Sequence, residues 1–274
     1  MFAFQDQDNP QAGARGLTRN QRGLARRLRR AAVGAVCAAA VAVPLAGAAT
    51  AQAATSAPHT LTITWTSLAL RNGWADYGNH TAAPAVTKIN GIVHLRGAIT
   101  ASSATGEPFI LPAAFRPNHT VYVPVGLCNA HSGRLDIYPS GVVDVEAEGG
   151  TIDNAECGTS LDGAWFAKSA SLYTPLTLQN GWHNSGGGFA SPAVRKISGI
   201  VHLEGAIAGG TNPQAFTLPA RFRPAHNVYV SVDANGANRG HVLIDSNGQV
   251  TVFAEGSQSD VTTFTSLDGV SFAP

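Results

Sequence analysis

Residues 84–99 read PAVTKINGIVHLRGAI, and residues 192–207 read PAVRKISGIVHLEGAI. The match sits inside a longer register. Leu68, Leu70, Asn72, Gly73 and Trp74 recur as Leu176, Leu178, Asn180, Gly181 and Trp182. Leu111, Pro112, Phe115, Arg116 and Pro117 recur as Leu218, Pro219, Phe222, Arg223 and Pro224, and Val121-Tyr122-Val123 as Val228-Tyr229-Val230. Ser160-Leu161-Asp162-Gly163 closes the first copy and Ser266-Leu267-Asp268-Gly269 the second. The offset is 108 residues at the start, 107 in the middle and 106 at the end, so two single-residue deletions separate the copies. Such a period is too long for a solenoid unit and suits a complete small domain. The repeat sets the domain count, and each copy is a control for the other.

Within a copy the apolar pattern has period two. Leu61, Ile63 and Trp65 alternate with threonines, and the parity then shifts to Leu68 and Leu70, which predicts a bulge or a change of sheet near Ser67. The second copy makes the same shift at Pro175, a residue best tolerated at a bulge or an edge. Val93, Leu95 and Ile99 point one way; Ile92, His94 and Arg96 point the other. The last two strands meet at Ser140-Gly141 in one copy and at Asn247-Gly248 in the other, a hairpin signal because both positions tolerate positive φ. No segment after the leader sustains a helical period. Seven to nine strands in about 105 residues imply a two-sheet sandwich. The expected fold is all-β: two tandem antiparallel β-sandwich (jelly-roll-like) domains, 61–167 and 168–274, after a cleaved signal peptide (1–53) and a short segment, 54–60.

The signal peptide is read from seven arginines between Arg15 and Arg30, the Ala/Val-rich run Ala31–Ala49, and small residues up to Ala54 that suit signal peptidase. Pro44 and Gly47 make that run a poor membrane span. Arg26-Arg27 and Arg29-Arg30 leave the export route open between the general and twin-arginine pathways. The leader carries seven of the 18 Lys/Arg and two of the 17 Asp/Glu. The remaining 11 basic and 15 acidic residues leave the mature chain near −4, no footprint for nucleic acid or an anionic membrane.

Cys128 and Cys157 both lie in the first copy, and their counterparts are Asn235 and Thr263. Joint absence from the second copy, in an exported chain, points to a disulfide between them. A metal site needs more ligands than two cysteines, and no cofactor is called for.

Catalysis finds little to stand on. Asp144, Glu146 and Glu148 share one strand face, but their counterparts are Thr251, Phe253 and Glu255, which favours a solvated face over a glycosidase pair or a Ca²⁺ site. His94 and His202 occupy the same strand position without a catalytic neighbour and read as sheet-facing. Arg116 and Arg223, each fixed beside a proline, read as internal partners. No G-x-S-x-G or H-E-x-x-H occurs, and the expectation is a non-enzyme.

Binding has better candidates. Asn72-Gly73-Trp74 and Asn180-Gly181-Trp182 lead into loops carrying Tyr77 in one copy and His183 in the other. A tryptophan beside amide side chains stacks a sugar ring in many sites; it equally plugs the end of a sandwich, the use favoured here. The candidate ligand-binding set is Asn72, Trp74, Tyr77, Asn180, Trp182 and His183.

The string Leu-x-Leu-x-Asn-Gly-Trp, then Lys-x-x-Gly-x-Val-x-Leu-x-Gly-x-Ile, then Leu-Pro-x-x-Phe-Arg-Pro resembles a module of tail-fibre and receptor-binding proteins of phages of Gram-positive bacteria. It also resembles a module of exported bacterial proteins. The resemblance covers nearly all of residues 61–272. It implies a β-sandwich head that engages cell-surface polymers, often as a trimer in phage, and it brings no catalytic residues. The expected function is a secreted protein that binds a cell-surface glycan or other extracellular polysaccharide through loop aromatics. The alternative is a structural, matrix-type exported protein whose modules self-associate.

Overall fold

The sequence puts a glycine in the middle of its most repeated phrase, and that glycine is where the chain changes sheets. The computed structural model describes residues 62–274; the leader, the segment 54–60 and Leu61 lie outside them. Strand Ile92–Arg96 pairs with Ala85–Ile89, and the next strand, Ala98–Ala101, pairs instead with Trp74–Asp76 and Thr159–Ser160. Gly97 lies between them at φ +93°, where a Cβ would sit 2.4 Å from the Ala82 carbonyl oxygen. Gly205 repeats this at φ +93°, with a Cβ 2.6 Å from the Ala190 oxygen. Only glycine takes that backbone with so close a neighbour. The closing Ser-Leu-Asp-Gly motif clamps the switch. The Gly97 N–H donates to Asp162 Oδ1 at 3.0 Å, and the Leu161 N–H donates to the Gly97 oxygen at 2.8 Å. In the second copy Gly205 donates to Asp268 at 3.2 Å, and Leu267 donates back at 2.8 Å.

Each copy builds the same three antiparallel sheets. In the first, the order is Thr66–Ser67, Ala85–Ile89, Ile92–Arg96, Trp165–Ala167; then Thr159–Ser160, Ala98–Ala101, Trp74–Asp76; then Phe109–Ile110, Val142–Ala147, Ser132–Ile137, Val121–Gly126. The second copy reproduces the orders strand for strand, ending on the edge strand Val228–Asp233. The architecture is all-β and β-sandwich-like, with 45% strand and 12% helix. Two six-residue helices, Ile152–Cys157 and Gln258–Thr263, are additions that no sustained apolar period announced. No helix of the described residues is long and apolar enough to cross a membrane.

Apolar alternation becomes two separate cores. One runs from Leu68 to Phe166 around Phe109, Leu135 and Phe166; the other runs from Trp182 to Phe272 around Phe216, Leu203 and Ile244. A third, smaller cluster joins the copies: Ile92, Trp165 and Ala167 pack against Tyr173 and Ile197. Residues 62–274 accordingly form one compact unit.

Three local expectations need correction. The first strand is shorter than the alternation suggested: Thr66 and Ser67 pair with Val86 and Ala85, Leu70 bridges to Phe109 in another sheet, which is the change of sheet predicted near Ser67, and Ile63 is half exposed. The Ser140-Gly141 and Asn247-Gly248 hairpins place only Gly141 and Gly248 at positive φ. Asn72-Gly73, Asn90-Gly91, Asn180-Gly181 and Ser198-Gly199, by contrast, have both residues at positive φ. Glu148 lies past the end of its strand, in a 3-10 turn, so the carboxylate ladder stops at Glu146. Pro175 does sit on an edge strand, pairing with Ala193 on one side only.

Cys128 and Cys157 are disulfide-bonded, with Cα atoms 5.8 Å apart and a separation of 29 residues. Closing that loop contributes about 3–4 kcal/mol in the chain-entropy account. Replacing both cysteines by alanine is expected to lower unfolding free energy by that amount, read from the urea midpoint. An unchanged midpoint would show that the bond constrains nothing.

Candidate functional site

The Asn-Gly-Trp turns come first because both copies keep them. Trp74 N–H donates to the Arg71 oxygen at 3.0 Å across the Asn72-Gly73 turn, and Trp182 N–H to the Gln179 oxygen at 2.9 Å across Asn180-Gly181. Both indoles then point inward, 6% and 4% exposed. Their ring N–H groups donate to the Gly106 and Asn212 oxygens at 2.9 and 2.8 Å. The Asn72 and Asn180 amides donate to the Glu107 and Gln214 oxygens at 2.9 and 2.8 Å. All four side chains are spent on pinning a neighbouring loop. A sugar finds no open indole face here; the tryptophans are plugs.

Tyr77 and His183 remain exposed. The His183 ring contacts the Asn184 oxygen at 3.0 Å, and its strand pairs with Ala206–Gly209. Tyr77 borders an open pocket of about 210 Å³, shared with Leu127, Cys128, Gly158, Ser160 and Asp162. The structure thus brings Tyr77 together with the disulfide and leaves His183 apart, in the other copy.

The arginines of Phe-Arg-Pro are internal, as expected, but their partner is a backbone carbonyl. Arg116 and Arg223 Nε donate to the Leu111 and Leu218 oxygens at 2.8 and 2.9 Å.

The densest chemistry lies where the copies meet, and the sequence did not announce it. The Tyr122 ring sits edge-on to Phe189 at 4.8 Å and beside Phe264 at 5.4 Å. Its backbone oxygen accepts the Ser266 hydroxyl at 2.7 Å, and the Thr120 N–H donates to the Gly188 oxygen at 3.0 Å. The Arg134 guanidinium lies 4.0 Å over the Tyr122 ring. It binds Asp136 at 2.6 Å, Glu146 at 2.6 Å and, across the junction, Asp233 at 3.5 Å. Glu146 is therefore held by an arginine instead of standing on a purely solvated face. Trp165 meets the His202 ring edge-on at 4.7 Å, and burial lowers the His202 pKa to about 4. Among the described residues no group of His, Cys, Asp and Glu is arranged to hold a metal.

Two buried carboxylates, Asp136 and Asp233, and the half-exposed Glu146 share one guanidinium. Burial pushes Asp136 up to about 6 against the pull of Arg134, and it holds Asp233 well above the usual carboxylate range. Glu204, 2% exposed, is pushed up to about 7 by burial, eased only by Arg195. Asp268 is raised as well, by burial and then by Glu204.

No family model matches the chain, and neither a curated protein nor a solved structure shows significant similarity to it.

A carboxyl whose pKa is raised on folding stabilises the fold only while protonated, so that stability is lost as pH rises through the folded pKa. For Glu204 the loss runs from about pH 4.5 to above 7. His202 works the other way below pH 6.5, which flattens the overall profile. Glu204→Gln isolates the carboxyl: it is expected to exceed the parent in stability by about 2–3 kcal/mol at pH 8, the gain fading towards pH 4. A pH-independent difference in denaturation midpoints would refute the assignment. Trp74→Ala and Trp182→Ala are each expected to cost about 3–5 kcal/mol, read by denaturant unfolding, as buried aromatics do.

Proposed function

We propose that this chain is an exported, non-catalytic structural protein whose two tandem β-sandwich modules work by associating through their faces. One observation carries this reading: the junction at Tyr122, where an aromatic plug, a cation–π contact and an ion pair join one copy to the next. The arginine-rich leader and the disulfide support export. The glycan reading keeps only Tyr77 and His183 of its candidate residues, because the four others are committed to internal hydrogen bonds.

The test is sedimentation of the chain over a range of concentrations. Mass is expected to grow above that of one chain, and a monomer at every concentration up to about 1 mM, the weak end of specific association, would overturn the reading. A pull-down on cell-wall and polysaccharide preparations addresses the other view. No retention is expected; retention that a Tyr77→Ala/His183→Ala variant loses would return the protein to the polymer binders.

A further inference from the structure

Residues meet their own repeat counterparts where the copies join. The Asn90 amide donates to the Ser198 hydroxyl at 3.0 Å, His94 lies near His202, and strand Val121–Gly126 runs against Val228–Asp233. One pair of counterpart positions differs in charge. In the second copy two carboxyls lie side by side under the first. The Leu203 N–H donates to the Val270 oxygen at 3.0 Å, so the chain ahead of Ser271–Phe272 runs back past Glu204 and brings Asp268 beside it. The N–H of Gly205, the next residue, donates to Asp268 Oδ1 at 3.2 Å. The first copy's edge strand closes over this place. The Ser266 hydroxyl donates to the Tyr122 oxygen at 2.7 Å, and a Cβ on Gly269 would meet Val123 and Pro124 at 3.4 and 3.7 Å. Glu204 and Asp268 are 2% and 3% exposed, and one oxygen of each, Glu204 Oε1 and Asp268 Oδ2, is buried without a hydrogen-bond partner. The first copy has Arg96, 4.4 Å over the Trp65 ring, and the exposed Asp162 at these positions, a pair of opposite charges. Two like charges held out of water resist joint ionisation. A single proton between the carboxyls turns two orphaned acceptors into one donor and one acceptor.

We propose that Glu204 and Asp268 share one proton and that this proton latches the first copy onto the second, so that the copies part when it is lost. The groups around the pair supply little positive charge. Arg195, on the neighbouring strand, eases Glu204 only in part and leans towards the Tyr173 ring at 6.0 Å. The Tyr173 hydroxyl is itself buried without a partner. His202, on the strand of Glu204, is kept neutral by burial, then by His94 across the junction and by Arg195. From the first copy, strand Val121–Gly126 brings only the Tyr122 phenol, and Trp165–Ala167 brings no ionisable side chain. Each copy has a core of its own and the cluster joining them is small, so the junction can open while both copies stay folded. On opening, water reaches both carboxyls, the proton passes to solvent and two carboxylates remain. Burial lifts Glu204 to about 7 and holds Asp268 well above the usual carboxylate range. The latch is therefore closed in mildly acidic surroundings and is released as pH rises through about 7. His94 and His202 act in the opposite sense: buried neutral, they favour the open form once protonated. The latch works within one chain and does not depend on association between chains.

Carboxyl carbon resonances and amide exchange read the proton and the opening separately. Glu204 and Asp268 together are expected to hold one proton at pH 6 and to lose it near pH 7. Opening is read at the Thr120 N–H, which donates to the Gly188 oxygen across the junction, with exchange corrected for its intrinsic pH dependence; Leu135 and Val242 report on the two cores. Glu204→Gln keeps a hydrogen-bond donor, removes the charge and leaves both histidines in place. The ratio of parent to variant opening is expected to grow about tenfold from pH 6 to pH 8, the factor for one carboxyl raised from 4.5 to about 7. Asp268→Asn takes its place should Glu204→Gln fail to fold by circular dichroism. A ratio that does not change with pH overturns the proposal. So does a pair holding two protons or none at pH 6, and resonances that shift there on adding sodium or calcium would give the place to a cation. Equal loss of protection at Thr120, Leu135 and Val242 overturns it too, since the proton would then hold the whole fold and not the junction.

Discussion

The structure hangs on a glycine that no other residue can replace. At Gly97 and Gly205 the backbone enters the left-handed region with a carbonyl where a side chain would begin, and there one strand's worth of sequence leaves the first sheet and enters the second. The aspartate of Ser-Leu-Asp-Gly arrives from some sixty residues away, 65 in the first copy and 63 in the second, to accept that glycine's N–H. The final strand, Trp165–Ala167 or Ser271–Phe272, then pairs beside Ile92–Arg96 or Ile200–Glu204. Sheet switch and sheet closure are one event. The two most faithfully repeated phrases of the sequence are the two halves of that event.

What was legible follows from this. Parity, turn residues and the repeat were enough for an all-β chain, because backbone geometry asks the same residues of both copies. The cysteine pair was legible from its joint absence at Asn235 and Thr263. The hairpins misled in kind, since Gly141 and Gly248 need positive φ while the residues before them do not. At the Asn-Gly-Trp turns the tryptophans are the plugs that were favoured: side chains suited to a sugar are equally suited to a loop's carbonyls, and here the carbonyls hold them. The junction was hidden for a different reason. It depends on the positions where the copies disagree, Thr81 against Phe189, Gly158 against Phe264 and Ser271 against Trp165. A reading that trusts what persists sets these aside, although an aromatic gained on one copy only was the available signal.

The junction also carries a tension between apolar and polar demands. Tyr122, Phe189 and Phe264 drive water out of the place where Arg134 gathers three carboxylates. Desolvation raises the cost of that charge, and the arginine, stacked on the tyrosine ring, offsets part of it. A charged cluster of this kind adds less to affinity than to choice of partner. The second copy, with His241, Leu243 and Phe253 at the positions of Arg134, Asp136 and Glu146, lacks it.

The disulfide takes on another meaning beside this asymmetry. It ties the turn at Cys128 to the end of helix Ile152–Cys157, beside the pocket that Tyr77 borders. The same two points in the second copy, Asn235 and Thr263, lie around the ring of Tyr122. One copy is braced at this corner by a neighbour and the other by a covalent bond. The redox state of the surroundings therefore acts on the brace of the first copy and leaves that of the second untouched.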